Sequence, residues 1–151
     1  MIVREASIAD TPTLVSFQMA MAKETENIEL DQALLTKGIT ELFHHPERGK
    51  YFLAVEEGIA LGCLMITYEW SDWRCGTVLW IQSVYIDPAH RGKGVYPFMY
   101  EYFQQLVLQD SSLRGIRLYV DKTNKKAQRT YERLGMNGHH YATYEWMKPA
   151  P

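Results

Sequence analysis

From Val84 to Tyr96 the chain reads as an apolar strand, a turn at Asp87-Pro88, a basic glycine-rich loop, and the start of a helix. That order builds an anion site. Glycines let the backbone approach a ligand closely, and the unpaired N–H groups of a helix's first turn point at it. Arg91 and Lys93 add positive charge. The ligand such a loop suits is a phosphate or pyrophosphate, with Arg91, Gly92, Lys93, Gly94, Val95 and Tyr96 as its binding residues. Pro97 lacks an N–H and is tolerated only in a first helical turn. It therefore starts the helix near Gly94 or Val95 and leaves the N–H groups of Gly92 to Tyr96 for a ligand. The pattern G-x-x-x-x-G-K-[ST] is absent, and Pro97 stands where a dinucleotide fingerprint would carry its third glycine.

A second group is Asn124, Ala127 and Tyr131. Spaced by three and four, they share one helix face, and the small Ala127 leaves room for a ligand along it. A phenol in such a place suits a general acid. Two acidic segments, Ala22–Asn27 and Glu69–Arg74, carry Glu24, Glu26, Glu69, Trp70 and Trp73. Carboxylates beside aromatic faces suit a cationic amine, and a solvated rim or packing tryptophans would look the same. Cys63 and Cys75 lack metal-ligand spacing, so no metal site is expected, and free thiols in a reducing cytoplasm fit them best.

These residues need elements to position them. Ile2–Glu5 suggests a strand; Asp10 and Pro12 suit the start of a helix through Leu14, Val15, Phe17, Gln18 and Met21. Asp31 caps a second helix carrying Leu34, Leu35, Ile39 and Leu42. Residues 51–56, 59–70 and 77–86 read as a three-stranded meander, turning at Glu57-Gly58 and at Ser71–Gly76. Val95, Phe98, Met99, Tyr102, Phe103 and Leu106 form an amphipathic stripe. Ile116, Leu118 and Val120 alternate as a strand, Asn124–Leu134 is a helix ending at Gly135, and His139–Met147 reads as a last strand. The expected architecture is a mixed α/β sheet of about six or seven strands flanked by about four helices, with a crossover helix before a parallel strand.

The 151 residues suit one domain over 1–148, with 149–151 as a tail. A net charge of −2 gives no global attraction to nucleic acid. The basic patch of Lys122, Lys125, Lys126, Arg129 and Arg133 is more simply a solvated face or a lure for phosphates. Apolar runs are too short to span a bilayer, and Met1–Glu5 does not read as a signal peptide. The expectation is thus a cytoplasmic protein without membrane or nucleic-acid partners. Tyr141, Tyr144 and Trp146 suit a homodimer strand or a core equally.

Arg91–Tyr96 resembles the R-x-x-G-x-[GA] acetyl-CoA loop of the GNAT superfamily of N-acetyltransferases. Asn124–Met136 resembles that superfamily's N-x-x-A-x-x-x-Y-x-x-x-G-[FM] segment, and the element order is similar along essentially the whole chain. The resemblance implies a GNAT-like fold and transfer of an acetyl group from acetyl-CoA to a small-molecule amine in a ternary complex. It implies that Val84, Tyr85 and Ile86, at a bulge, pair with the pantetheine arm. It further implies that Asn124 and Ala127 lie along the cofactor and that Tyr131 sits near the CoA sulfur as general acid. Two positions depart from the pattern. Tyr96 replaces a small residue, so its side chain must turn away from the pyrophosphate, toward the adenosine. Gln82 stands where many members carry a glutamate base, and an amide cannot accept the proton. Glu69, Glu24, Glu26 and His140 are the remaining candidates, with Gln82, Trp70, Glu24 and Glu26 facing the acceptor. A GNAT fold that binds acyl-CoA without catalysis is the alternative, which Gln82 keeps open and Tyr131 opposes.

Overall fold

Glu57 and Gly58 both take left-handed φ, +50° and +79°, the backbone that a two-residue hairpin requires. They join β2 (Lys50–Glu56) to β3 (Ile59–Ser71), and a second turn, with Cys75 at φ +47°, joins β3 to β4 (Gly76–Ile86). The computed structural model describes residues 1–150. Ahead of this meander come β1 (Ile2–Glu5), α1 (Thr11–Glu26) and α2 (Gln32–His44). After it come α3 (Val95–Gln109), β5 (Leu113–Arg117) and α4 (Lys125–Arg133). The described residues form two compact units, Met1–Leu118 and the residues from Tyr119 on.

The sheet order is β1-β2-β3-β4-β5. Every pairing is antiparallel except β4 with β5, which α3 joins as a parallel crossover. Alternation along the strands divides the core between the two faces. Tyr51, Leu53, Cys63 and Tyr85 pack with Leu14, Val15 and Phe17 of α1 and Ile39 of α2. On the other face Phe52 meets Phe103 of α3 edge-on at 4.9 Å. Leu14, Leu53, Leu64, Met99 and Phe103 are fully buried, each contributing ~1.5–3 kcal/mol by removal of apolar surface from water.

Several local expectations change. The fold class is the expected mixed α/β, with five described strands where six or seven were expected. The difference lies mainly in His139–Met147, which forms no strand: Tyr141, Tyr144, Trp146 and Met147 are 72–95% exposed. Alternation makes a strand only where a partner edge supplies the ladder hydrogen bonds. β5 begins earlier than the alternating residues suggest and ends at Arg117. The buried face of α3 is Val95, Tyr96, Met99, Tyr100 and Phe103, turned slightly from the predicted stripe. Leu34 lies exposed, off the Leu35, Ile39, Leu42 face. Asp10 precedes α1 but does not cap it. Its carboxylate accepts instead from Arg4 at 2.9 Å and from the Ser7 N–H at 2.7 Å.

Candidate functional site

β4 does not run straight into the glycine loop. Cys63 pairs with Tyr85 and Met65 with Gln82, so Ser83 and Val84 stand together opposite Leu64. This is a β-bulge, and Ser83 takes φ +53° within it. On its other side β4 pairs with β5 only from Thr77 to Trp80. β5 ends at Arg117, so among the described residues no strand pairs with β4 on that side beyond Trp80. Val84, Tyr85 and Ile86 lie on this open edge, where the GNAT resemblance implies the pantetheine arm. Gly62 fits the end of β4 closely: a Cβ there would lie 2.6 Å from the Tyr85 carbonyl oxygen.

The loop follows a short helical turn, Pro88–His90, capped by the Asp87 carboxylate through the Ala89 N–H at 2.9 Å. Gly92 and Gly94 take φ of +72° and +79°, which β-carbon sterics oppose in other residues. Nothing lies within 4 Å of a Cβ built at either one. α3 starts at Val95 as Pro97 requires, and its first hydrogen bond is Phe98 N–H to Gly94 O at 3.1 Å. The N–H groups of Gly92, Lys93, Gly94 and Val95 have no protein acceptor among the described residues. Four donors at the positive end of a helix, beside open space, fit a pyrophosphate. Tyr96 turns inward, not toward an adenosine: it is 8% exposed and stacks with Tyr100 at 6.3 Å.

The loop's two cations are engaged by the protein. Arg91 forms a bidentate pair with Glu24, donates Nε to the Ile86 carbonyl at 2.9 Å, and lies 5.4 Å over the Tyr85 ring. Lys93 donates to the Ala89 carbonyl at 2.9 Å. The Arg91 guanidinium thus braces the strand end and the C-terminal turn of α1, and its charge is compensated. This corrects the reading of Glu24 as a free base or amine receptor. The hydrogen bonds from Arg91 hold its carboxyl below the usual carboxylate range, against the opposing effect of burial.

Of the residues expected at the acceptor side, Gln82 and Glu69 share one face of the β3–β4 pair, whereas Trp70, next to Glu69 in the strand, points to the opposite face. Gln82 donates Nε2 to Thr67 Oγ1 at 2.5 Å. Glu69 accepts from Trp80 Nε1 at 3.1 Å and from Arg117 at 2.5 Å, so both its oxygens are engaged. Trp70 and Trp73 are 67% and 91% exposed, which removes packing as their role within this chain. Glu26 is exposed at the end of α1.

In the second unit, Asn124 caps α4, its side chain accepting from the Ala127 N–H at 3.1 Å. Ala127 and Tyr131 lie on the half-buried face of α4, and burial raises the phenol's pKa, keeping it protonated as a donor. His140 lies in the exposed C-terminal segment with its ring 6.4 Å from Tyr141.

Two residues of the site region escape a reading by motif. Gly62 lies in a strand with no turn signal, and its only sequence trace is a glycine inside an apolar run. Gln18 is buried beneath the bulge, and its trace is a lone amide within the helical apolar pattern. Among the described residues no helix is long and apolar enough to cross a membrane, and no cluster of His, Cys, Asp or Glu could hold a metal.

A mixed sheet whose bulged strand outruns its parallel neighbour and feeds a glycine loop at a helix N-terminus defines a class, and comparison with known proteins agrees. The Acetyltransferase (GNAT) family model matches residues 12–136. The chain is 41% identical to a possible acetyltransferase from Clostridium difficile 630, over 99% of this chain and 98% of that one, with a TM-score of 0.91. Two further structures share the fold at low identity. One is a predicted acetyltransferase from Clostridium acetobutylicum, solved with acetyl-CoA (19% identity, 99% and 95% covered, TM-score 0.71). The other is a ribosomal-protein-alanine N-acetyltransferase from Brucella melitensis biovar Abortus 2308 (11% identity, 98% and 100% covered, TM-score 0.79). No curated protein matches the chain. The chain belongs to the GNAT family of acetyltransferases.

Proposed function

We propose that this protein is an N-acetyltransferase that moves the acetyl group of acetyl-CoA to the primary amine of a small cationic acceptor. The observation that carries the reading is the row of N–H groups at Gly92, Lys93, Gly94 and Val95 with no protein acceptor among the described residues. Together with Arg91 and Tyr96 of the same loop, these residues hold the pyrophosphate. The open edge at Val84–Ile86 orients the pantetheine arm, with Asn124 and Ala127 along it. The cosubstrate supplies the acyl group as a thioester. As the amine nitrogen bonds to the carbonyl carbon and the C–S bond breaks, Tyr131 donates its proton to the departing sulfur. The amine loses its proton to a carboxylate or to solvent. Glu69 is the carboxylate on the strand beside Gln82, and to take that proton it must release a hydrogen bond from Arg117 or Trp80. Glu26 is the exposed carboxylate suited to a cation, while Trp70, on the sheet face opposite Glu69, does not share that acceptor.

Gln82 favours a second reading, a module that binds acyl-CoA and transfers nothing, since no carboxylate stands at that position. Calorimetric titration with CoA and acetyl-CoA, then an amine panel followed by thiol release, separates the readings. Micromolar binding with turnover of basic amines supports the transferase. Binding without turnover of any amine supports the module. Absence of binding removes both. Turnover of neutral or acidic amines alone removes the cationic acceptor.

A further inference from the structure

A single side chain of α1 reaches the bulge of β4 from beneath. Gln18 is 4% exposed, and its Nε2 donates to the Ser83 carbonyl at 3.1 Å and to Cys63 Sγ at 3.4 Å. A buried amide is costly unless paired, and an aliphatic residue would pack this helix face more cheaply. The Ser83 carbonyl explains the amide. At φ +53° Ser83 leaves the ordinary strand backbone and turns this oxygen into the core, where only side chains can satisfy it. Cys63 Sγ adds a long contact to the same oxygen at 3.7 Å.

Straightening the bulge would remove the extra residue of β4. Every side chain and backbone group after it would then slip by one position, with Val84, Tyr85 and Ile86 exchanging faces. We propose that Gln18 is the positioning residue for the CoA arm: by holding the Ser83 carbonyl inward it fixes the register of the open β4 edge relative to the glycine loop. The inference rests on the acetyl-CoA reading above and deepens it. It separates two halves of one site. The loop that takes the pyrophosphate is built by Asp87, Pro88 and the α3 terminus and does not need Gln18. The strand edge that takes the arm does.

The test is a titration of the full chain with CoA and with phosphoadenosine diphosphate, the part of CoA without its pantetheine arm. In Gln18→Leu the CoA affinity should fall about tenfold or more, with phosphoadenosine diphosphate within about twofold of wild type; a tenfold loss is ~1.4 kcal/mol. An equal loss for both ligands, or no loss for either, overturns the proposal. Should Gln18→Leu not fold, Gln18→Glu serves, being nearly the same shape. Its neutral acid can donate to the Ser83 carbonyl, and its ionised form repels it. Tyr51 and Cys63, the titratable groups facing position 18 from β2 and β3, are pushed up to about 12 by burial, and Tyr85 on β4 is also raised by burial. All three stay neutral near pH 7. CoA affinity of Gln18→Glu should therefore fall as pH rises, more steeply than that of wild type, with the armless ligand unaffected. A profile parallel to wild type for both ligands overturns the proposal. A wild-type protein that bound neither ligand would remove the acetyl-CoA reading itself.

Discussion

At the scale of single residues, the site divides into groups that face a ligand and groups that brace the ones that do. Tyr131 is proposed in the first class. Tyr131→Phe should lower kcat by about 10²-fold or more, the usual range for a lost general acid. CoA affinity should be nearly unchanged, and unaltered turnover would take the phenol out of the mechanism. Glu24 belongs to the second class, since its carboxylate occupies the Arg91 guanidinium. Glu24→Gln leaves that cation uncompensated next to the pyrophosphate loop. CoA should then bind several-fold more tightly at low ionic strength, with a steeper loss on adding salt. Weaker binding with an unchanged salt slope would mean that the pair acts only as a brace. Neither Glu24 nor Gln18 carries a signal in the sequence that names its partner. Arg91 and Ser83 lie more than 60 positions further along the chain, and spacing informs only on neighbours within a turn or a hairpin.

At the scale of elements, turns and loop were legible because their chemistry is local. Glu57-Gly58, the glycine loop, Pro97 at the head of α3 and Gly135 at φ +87° after α4 each declare a backbone requirement in residue type alone. What escaped depends on packing. The rotation of α3's buried face is set by which side of the helix Phe52 meets, and His139–Met147 makes no ladder pairing, which its alternation alone could not foretell. Gly62 lies between these cases: the residue type is visible, its reason is not. Gly62→Ala should force β4 away from β3 at Tyr85, where the contact is with backbone and cannot yield by a side-chain rotation. The expected result is a loss of ~1–3 kcal/mol in stability, as for other overpacked sites, measured by urea unfolding, together with weaker CoA binding. Wild-type stability would mean that the strand end relaxes freely.

At the scale of the whole molecule, acid stability follows from one exposed end of the sheet. The Arg4 hydrogen bonds lower the Asp10 carboxyl to about 2, outweighing burial. A depressed folded-state value means that the group stabilises the fold above its usual value near 4, and that this contribution is lost as pH falls from there through about 2. Asp10→Asn should therefore cost ~1 kcal/mol at neutral pH and flatten that part of the acid unfolding curve. An unchanged acid slope would assign it elsewhere. The parallel pairing of Thr77–Trp80 with Leu113–Arg117 has a kinetic consequence. β2, β3 and β4 close through short turns, whereas β5 must wait for the whole of α3 to pass over the sheet, and such loop closure is slow. The meander should nucleate folding, and α3 with β5 should dock after the rate-limiting step. Trimming Phe103 should then accelerate unfolding with little change in the folding rate, so the strand that flanks the first half of β4 is also the one most readily shed.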